Sequence, residues 1–246
     1  MGWPDHCLFG ITPDVMLSQT VKRRFDEACV RFGLLNDGDK ILAGLSGGKD
    51  SLALVALLGA RAKIYKPSIV VEAAHVVMDN IPYESDEEYL GRFCQEYGVP
   101  LRVIHTSFDE STDKRKTRCF LCARYRRKAL FDYAVENGFN KVALGHHQDD
   151  FLTTLLMNMT YEGSLTTMLP CMPMQHYPLS LIRPLCMIPE QCIREMAVER
   201  GFCKQKRPCP YEERTRRKDM NEFLMMLERL NPEARQSMWH AIVRNL

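Results

Sequence analysis

Two stretches of this chain carry residue types whose spacing can do chemistry. The first is Ser46-Gly47-Gly48-Lys49-Asp50-Ser51. Paired glycines let a backbone turn tightly and bring its N–H groups close to a ligand. A helix that starts there adds partial positive charge, and the two together make an anion site. Ser46 and Ser51 add hydroxyl donors, and Lys49 adds a full charge. Lys49 is followed by Asp50, so this is not the G-x-x-x-x-G-K-[ST] phosphate loop. Asp50 suits phosphate only through a bridging magnesium ion. The second stretch is TRCFLCARYRRK, residues 117–128, with Cys119 and Cys122 in a C-x-x-C. Its spacing fits a disulfide, a zinc half-site, a redox dithiol or two ligands of an iron–sulfur cluster. The chain has no second C-x-x-C, which argues against a self-contained zinc finger.

A third stretch, LGHHQDD, spans residues 144–150. Gly145 permits close backbone approach to a nucleotide. His146 or its neighbour His147 suits contact with phosphate or base. Asp149 and Asp150 suit magnesium or substrate, although acids at a helix start also complement the helix dipole. Arg183, in LIRPL, stands at a strand end. Ala43, Leu45, Val76 and Met78 stand at strand ends where adenine and ribose belong; core packing is the plainer account of them.

The elements that position these residues follow from periodicity. KILAGL, SIVVEAAHVVMD, LRVIHTS, KVALG and PLSLIRPL read as five strands. Helical patterns cover 12–34, 51–63, 86–98, 119–137 and 149–163, and the chain is helical after Pro189 except at RPCPYEERT. Residues 107–118 read as a polar loop, and the Met- and Pro-rich 162–178 as a loop or lid. Strand and helix alternate, which predicts an α/β fold with a parallel sheet and helices on both faces. The loops at the carboxyl ends of the strands then hold the site.

SGGKDS, CFLCARYRRKAL, LGHHQDD and RPCPYEERTRR occur in that order over residues 20–220. In this the chain resembles the TtcA group of tRNA 2-thiocytidine synthetases, within the PP-loop ATP pyrophosphatases. The resemblance implies a Rossmann-like, HUP-type five-stranded sheet and three regions. Residues 1–36 form an N-terminal helical segment, 37–186 the ATP-binding domain with the C-x-x-C insertion, and 187–246 a C-terminal helical extension. It implies that residues 46–51 with Gly145, His146, Asp149, Asp150 and Arg183 line an ATP site. It further implies a [4Fe–4S] cluster on Cys119, Cys122 and Cys209, with one iron left open for sulfide. Asp50, Lys49 and the three cysteines would carry the catalysis. Glu212 and Gln148 depart from the residues common at these places in the family, and Cys203 is a rival third ligand.

The implied reaction adenylates the O2 of a cytidine in the anticodon loop and displaces AMP with sulfur. Partners are then tRNA and a sulfur donor, such as a cysteine desulfurase. Lys114, Arg115, Lys116 and Arg118 precede the thiol pair, Arg124, Arg126 and Arg127 follow it, and Arg214, Arg216 and Arg217 follow Cys209. Basic runs meeting at one cluster make a phosphate-backbone footprint. Two other readings explain part of the pattern: a lysidine-type amidating or 2-thiouridine-type PP-loop enzyme, and a non-catalytic iron–sulfur RNA-binding module.

The bulk numbers agree. The chain has 246 residues, 46% of them hydrophobic, and a net charge of +2. No apolar run approaches the roughly 20 residues of a membrane span. The opening MGWPDHCLFG lacks the basic-then-apolar pattern of a secretory signal, and His6 stands where myristoylation wants Ser or Thr. Ten irregularly spaced cysteines without such a signal fit a reducing cytoplasm. The Met-rich face of 219–244 suits docking on the domain or a homodimer contact.

Overall fold

The structure, a computed structural model, describes residues 19–81, 85–109, 117–203 and 216–245, with the backbone alone for 216–218. The elements run α1 (Gln19–Arg31), β1 (Asp39–Gly44), α2 (Lys49–Ala62), β2 (Ile69–Met78), α3 (Glu87–Glu96), β3 (Leu101–Thr106) and α4 (Arg118–Glu136). They continue with β4 (Lys141–Ala143), α5 (Gln148–Met157), β5 (Cys171–Pro173), β6 (Ser180–Ile182), α6 (Glu190–Glu199), α7 (Arg216–Leu230) and α8 (Ala234–Arg244). A single π-turn, Asn158–Glu162, extends α5.

The sheet order is β3-β2-β1-β4-β6-β5. The first five are parallel, as the alternating pattern predicts. The sixth strand, β5, pairs antiparallel with β6 at the edge and lies inside the stretch read as a loop or lid. Its three residues are too few for a period-2 signal. Pro173 is tolerated there because an edge strand leaves one side of its backbone unpaired.

Side chains along each strand divide between two cores. Ile41, Ala43, Ala73, Ala143 and Ile182 face the cluster that includes residues of α1, α2, α3 and α6. Leu42, Ala74, Val142 and Leu181 face α4 through Leu130, Phe131 and Ala134. Burial on both faces explains why the inner strands read as continuous apolar runs. Phe25 of α1, Ile193 of α6, Leu224 of α7 and Trp239 of α8 belong to one core with β1 and α2. The N- and C-terminal helices therefore pack on the sheet rather than beside it.

At the amino end of the sheet, Lys141 donates to Asp39 at 2.6 Å and to the Leu34 carbonyl at 2.8 Å. Asp39 also accepts from Asn140 and from the Asn36 amide. This buried pair is fully hydrogen-bonded, the condition under which burying two charges is tolerated. It leaves the opposite, carboxyl end of the sheet for the site.

Candidate active site

The chain order reverses between β1 and β4, and loops leaving their carboxyl ends diverge there into a crevice. Both glycine-bearing motifs sit at this point. Leu45 follows β1, with its amide bound to Ala74 O at 2.8 Å and its carbonyl accepting from His75 Nδ1 at 2.7 Å. His75 is buried, and burial lowers its pKa against the opposing effect of that bond. A neutral ring donating through Nδ1 fixes the point from which the loop departs.

The loop then turns through Gly47 at φ +85°, a conformation that favours glycine. Ser51 locks the turn: its hydroxyl donates to Gly48 O at 2.9 Å and accepts from the Ser46 amide at 3.1 Å. The Ser46 hydroxyl lies 3.1 Å from it as well. Within α2, Leu52 N bonds Gly48 O at 3.0 Å, so the amides of residues 49–51 precede the first intrahelical bond. Those donors and the helix dipole suit the binding of an anion.

Gly145 also allows a close approach that the sequence did not announce. A Cβ there would meet Asp50 C and O at 3.0 Å and Ser51 N at 3.2 Å. This contact is with the backbone of α2. Backbone cannot yield as a flexible side chain can. Gly145→Ala is therefore expected to push the two loops apart and raise the KM for ATP about tenfold, by misplacing phosphate donors. Steady-state AMP release against ATP concentration measures it.

Lys49 is held between two carboxylates, Asp50 at 2.9 Å and Glu190 at 3.0 Å. Burial disfavours its ammonium, but these partners outweigh burial and raise its pKa. Glu190 is likewise half-buried, which raises its pKa, and Lys49 turns the balance downward. Sequence reading missed Glu190. Its signal was an acid directly after Pro189, opening a helix behind the last parallel strand.

His147 Nε2 lies 3.8 Å from Asp50 Oδ1 and 3.6 Å from Asp150 Oδ2. Two carboxylates thus flank one buried imidazole edge beside the glycine loop. Their oxygens are the ligand type magnesium takes, along with phosphate oxygens. His147 meets these acids directly, whereas His146 is half-buried beside it. Asp149 Oδ2 lies 3.7 Å from the other ring nitrogen, His147 Nδ1, and Asp149 has further partners. Its Oδ2 accepts the Glu190 amide at 2.7 Å and its Oδ1 meets Arg235 of α8.

Arg183 is buried at the end of β6, and donates to Leu169 O at 2.5 Å. Burial first, and then the neighbouring Arg127, lower its pKa. The buried Nε of Arg183 has no hydrogen-bond partner. An anion beside it would relieve both conditions. Ala43, Leu45 and Met78 have fully buried side chains in the cores, and Val76 packs on the α4 cluster.

The thiol pair lies at the same carboxyl end. Thr117 caps α4 by accepting the Phe120 amide at 3.3 Å, which places Cys119 and Cys122 in the first turns. Leu121 anchors that turn on Met78 at the end of β2, Ile81 and Phe108, and Cys122 packs against the same cluster. Neither thiol is disulfide-bonded; Cys119 is exposed and Cys122 half-exposed. Two thiolates at a helix N-terminus are a sound donor set for an iron–sulfur cluster. Cys209 lies outside the described residues, and among those described no group of three or more His, Cys, Asp or Glu is placed to hold a metal. Cys203 is buried against the core. Arg118, Arg124 and Arg127 are exposed on α4, and Arg126 is half-buried. Lys114, Arg115, Lys116, Arg214 and the side chains of Arg216 and Arg217 lie outside the described residues.

Known proteins resemble this chain in sequence and fold. Residues 17–226 match the PP-loop domain family. The chain is 33% identical over 234 residues to the tRNA-cytidine(32) 2-sulfurtransferase of Chromohalobacter salexigens, covering 92% of this chain and 81% of that one. It is 33% identical over 235 residues to the enzyme of that name from Geotalea daltonii, covering 92% and 91%. Among solved structures, the U34-tRNA thiolase NcsA from Methanococcus maripaludis, with its [4Fe–4S] cluster, superimposes with a TM-score of 0.75. It is 26% identical, over 92% of this chain and 77% of that one. The glycine loop at the β1–β4 crevice and this likeness along nearly the whole chain place it in the PP-loop domain family and, within that, in the tRNA-cytidine(32) 2-sulfurtransferase family.

Proposed function

We propose that this protein is an ATP-dependent tRNA thiolase that makes 2-thiocytidine at position 32 of the anticodon loop, the position in its relatives' name. The observation that carries the reading is that the glycine loop follows β1 and the thiol pair packs on Met78 at the end of the neighbouring strand β2, so both stand at the carboxyl end of the parallel sheet. That end can serve both halves of a thiolation.

In the first half the cytidine O2 attacks the α-phosphorus of ATP and pyrophosphate leaves. The α2 amides and the Ser46 hydroxyl hold the departing phosphates. Asp50 and Asp150 would hold magnesium, which when bound supplies positive charge for the phosphates, and Lys49 and Arg183 offset the charge that develops. In the second half a sulfur nucleophile attacks C2 and AMP leaves. Cys119, Cys122 and Cys209 would hold a [4Fe–4S] cluster, which when bound supplies an open iron site for sulfide. Arg118, Arg124, Arg126 and Arg127 bind the RNA backbone beside the thiols, and the target base is splayed out of the loop.

The test is anaerobic reaction of unmodified tRNA with ATP, magnesium and sulfide, followed by mass spectrometry of the nucleosides. One 2-thiocytidine per AMP is expected. AMP release with no sulfur in the tRNA would transfer the assignment to an amidating PP-loop enzyme. Binding of tRNA with no AMP release would leave an RNA-binding module.

A further inference from the structure

A run of charged side chains joins the C-terminal helices to the ATP loop, and the proposed reaction leaves it unexplained. It begins on α7, where Glu228 accepts from Arg235 Nε at 2.5 Å. Arg235 continues to Asp149 Oδ1. Asp149 accepts the Glu190 amide at 2.7 Å, the first amide of α6. Glu190 reaches Lys49 at 3.0 Å, and Lys49 reaches Asp50 at 2.9 Å. The formal charges alternate in sign along the side-chain contacts of the run.

Each link constrains the next. The Asp149 side chain is only 10% exposed, and beside the Glu190 amide and the His147 ring at 3.7 Å, Arg235 is its permanently charged partner. With that partner in place, Asp149 holds the start of α6 as a cap supplied from another helix. The cap sets where Glu190 projects. Glu190, whose Oε1 also accepts from Arg194 of the same helix at 3.1 Å, then competes with Asp50 for one ammonium, and so decides how freely Asp50 turns to a metal–phosphate group. We propose that Arg235 is a positioning residue for the ATP half of the site, acting through Asp149 and Glu190 on Lys49. This rests on the reading of residues 46–51 as the ATP loop. Its consequence is that seating α7 and α8 sets ATP affinity from outside the nucleotide crevice.

The plainer account is that the pair only staples α8 to the domain. Trp239 already does so, packing edge-on against Phe151 at 5.7 Å. The experiment separates the two with full-length protein. Equilibrium ATP–magnesium binding and steady-state AMP release are measured for wild type, Arg235→Met, Glu190→Gln and the two combined. Met238→Ala, which loosens the packing of α8 on the core without touching the charges, is the control. Arg235→Met is expected to raise the KM for ATP about tenfold, with kcat changed less than about threefold. In the Glu190→Gln background the same substitution is expected to add nothing, because the route is already cut. Should Arg235→Met not fold, Asp149→Asn combined with it removes both buried charges. The carboxamide oxygen of that double variant still accepts the Glu190 amide, so the KM there is expected within about threefold of wild type. Additive effects of Arg235→Met and Glu190→Gln would overturn the proposal. So would an equal KM rise in Met238→Ala at matched loss of melting temperature, or a tenfold rise in the Asp149→Asn double variant. Wild-type protein that binds no ATP would instead overturn the reading of the loop.

Discussion

Asp50→Ala is expected to lower ATP-dependent AMP formation on tRNA by at least about a thousandfold, the scale of losing a principal charge-stabilising group. The carboxylate stands in the first turn of α2 at the crevice. It meets Lys49 through both oxygens at 2.9 and 3.0 Å, and it faces His147 at 3.8 Å. Removing it takes the proposed magnesium ligand and a carboxylate partner of Lys49. Lys49 then falls to Glu190 alone, at 3.0 Å. The side chain is 30% exposed, so the substitution creates no cavity, and melting temperature and tRNA binding are expected to stay near wild type. AMP release from Asp50→Ala within tenfold of wild type would remove Asp50 from the chemistry.

Cys122→Ser is expected to separate the two halves of the reaction. Formation of 2-thiocytidine should fall more than about a hundredfold, as loss of a cluster ligand implies, while equilibrium ATP binding stays within about twofold. The anaerobic protein should carry about four irons per chain with matching acid-labile sulfide, and the variant should lose most of both. The helix itself should survive. Its start is secured by the Thr117 cap and by Leu121 on Met78, which the substitution leaves in place. Full thiolation by Cys122→Ser would exclude the pair from sulfur transfer. Loss of ATP binding along with the iron would instead make the thiols a structural support for the sheet edge. Cys119→Ala, at an exposed position, is expected to give the same separation.

Much of the molecule was determined by local sequence. The inner strands β1 and β4 are short apolar runs, because burial on both faces leaves little polar alternation to write, whereas the edge strand β3 alternates, with Arg102 and His105 exposed. The glycine loop was legible because strand, turn and helix follow one another within a dozen residues, and Gly47 needs a conformation that other residues resist. The same locality made the capped helix behind Thr117 readable. Tertiary structure decided which charges meet. Asp149 and Asp150 are adjacent in the chain, yet Asp150 turns toward His147 Nε2 while Asp149 binds α6 and α8. Glu190 reaches Lys49 only because α6 returns beside α2. Gly145 is small for the sake of the Asp50 backbone, a neighbour that exists only once β4 lies beside β1. The edge strand β5 exists only through its pairing with β6. Periodicity reports how a residue's surroundings divide between water and core. It carries no record of which partner, dozens of residues away, the folded chain brings within hydrogen-bonding distance.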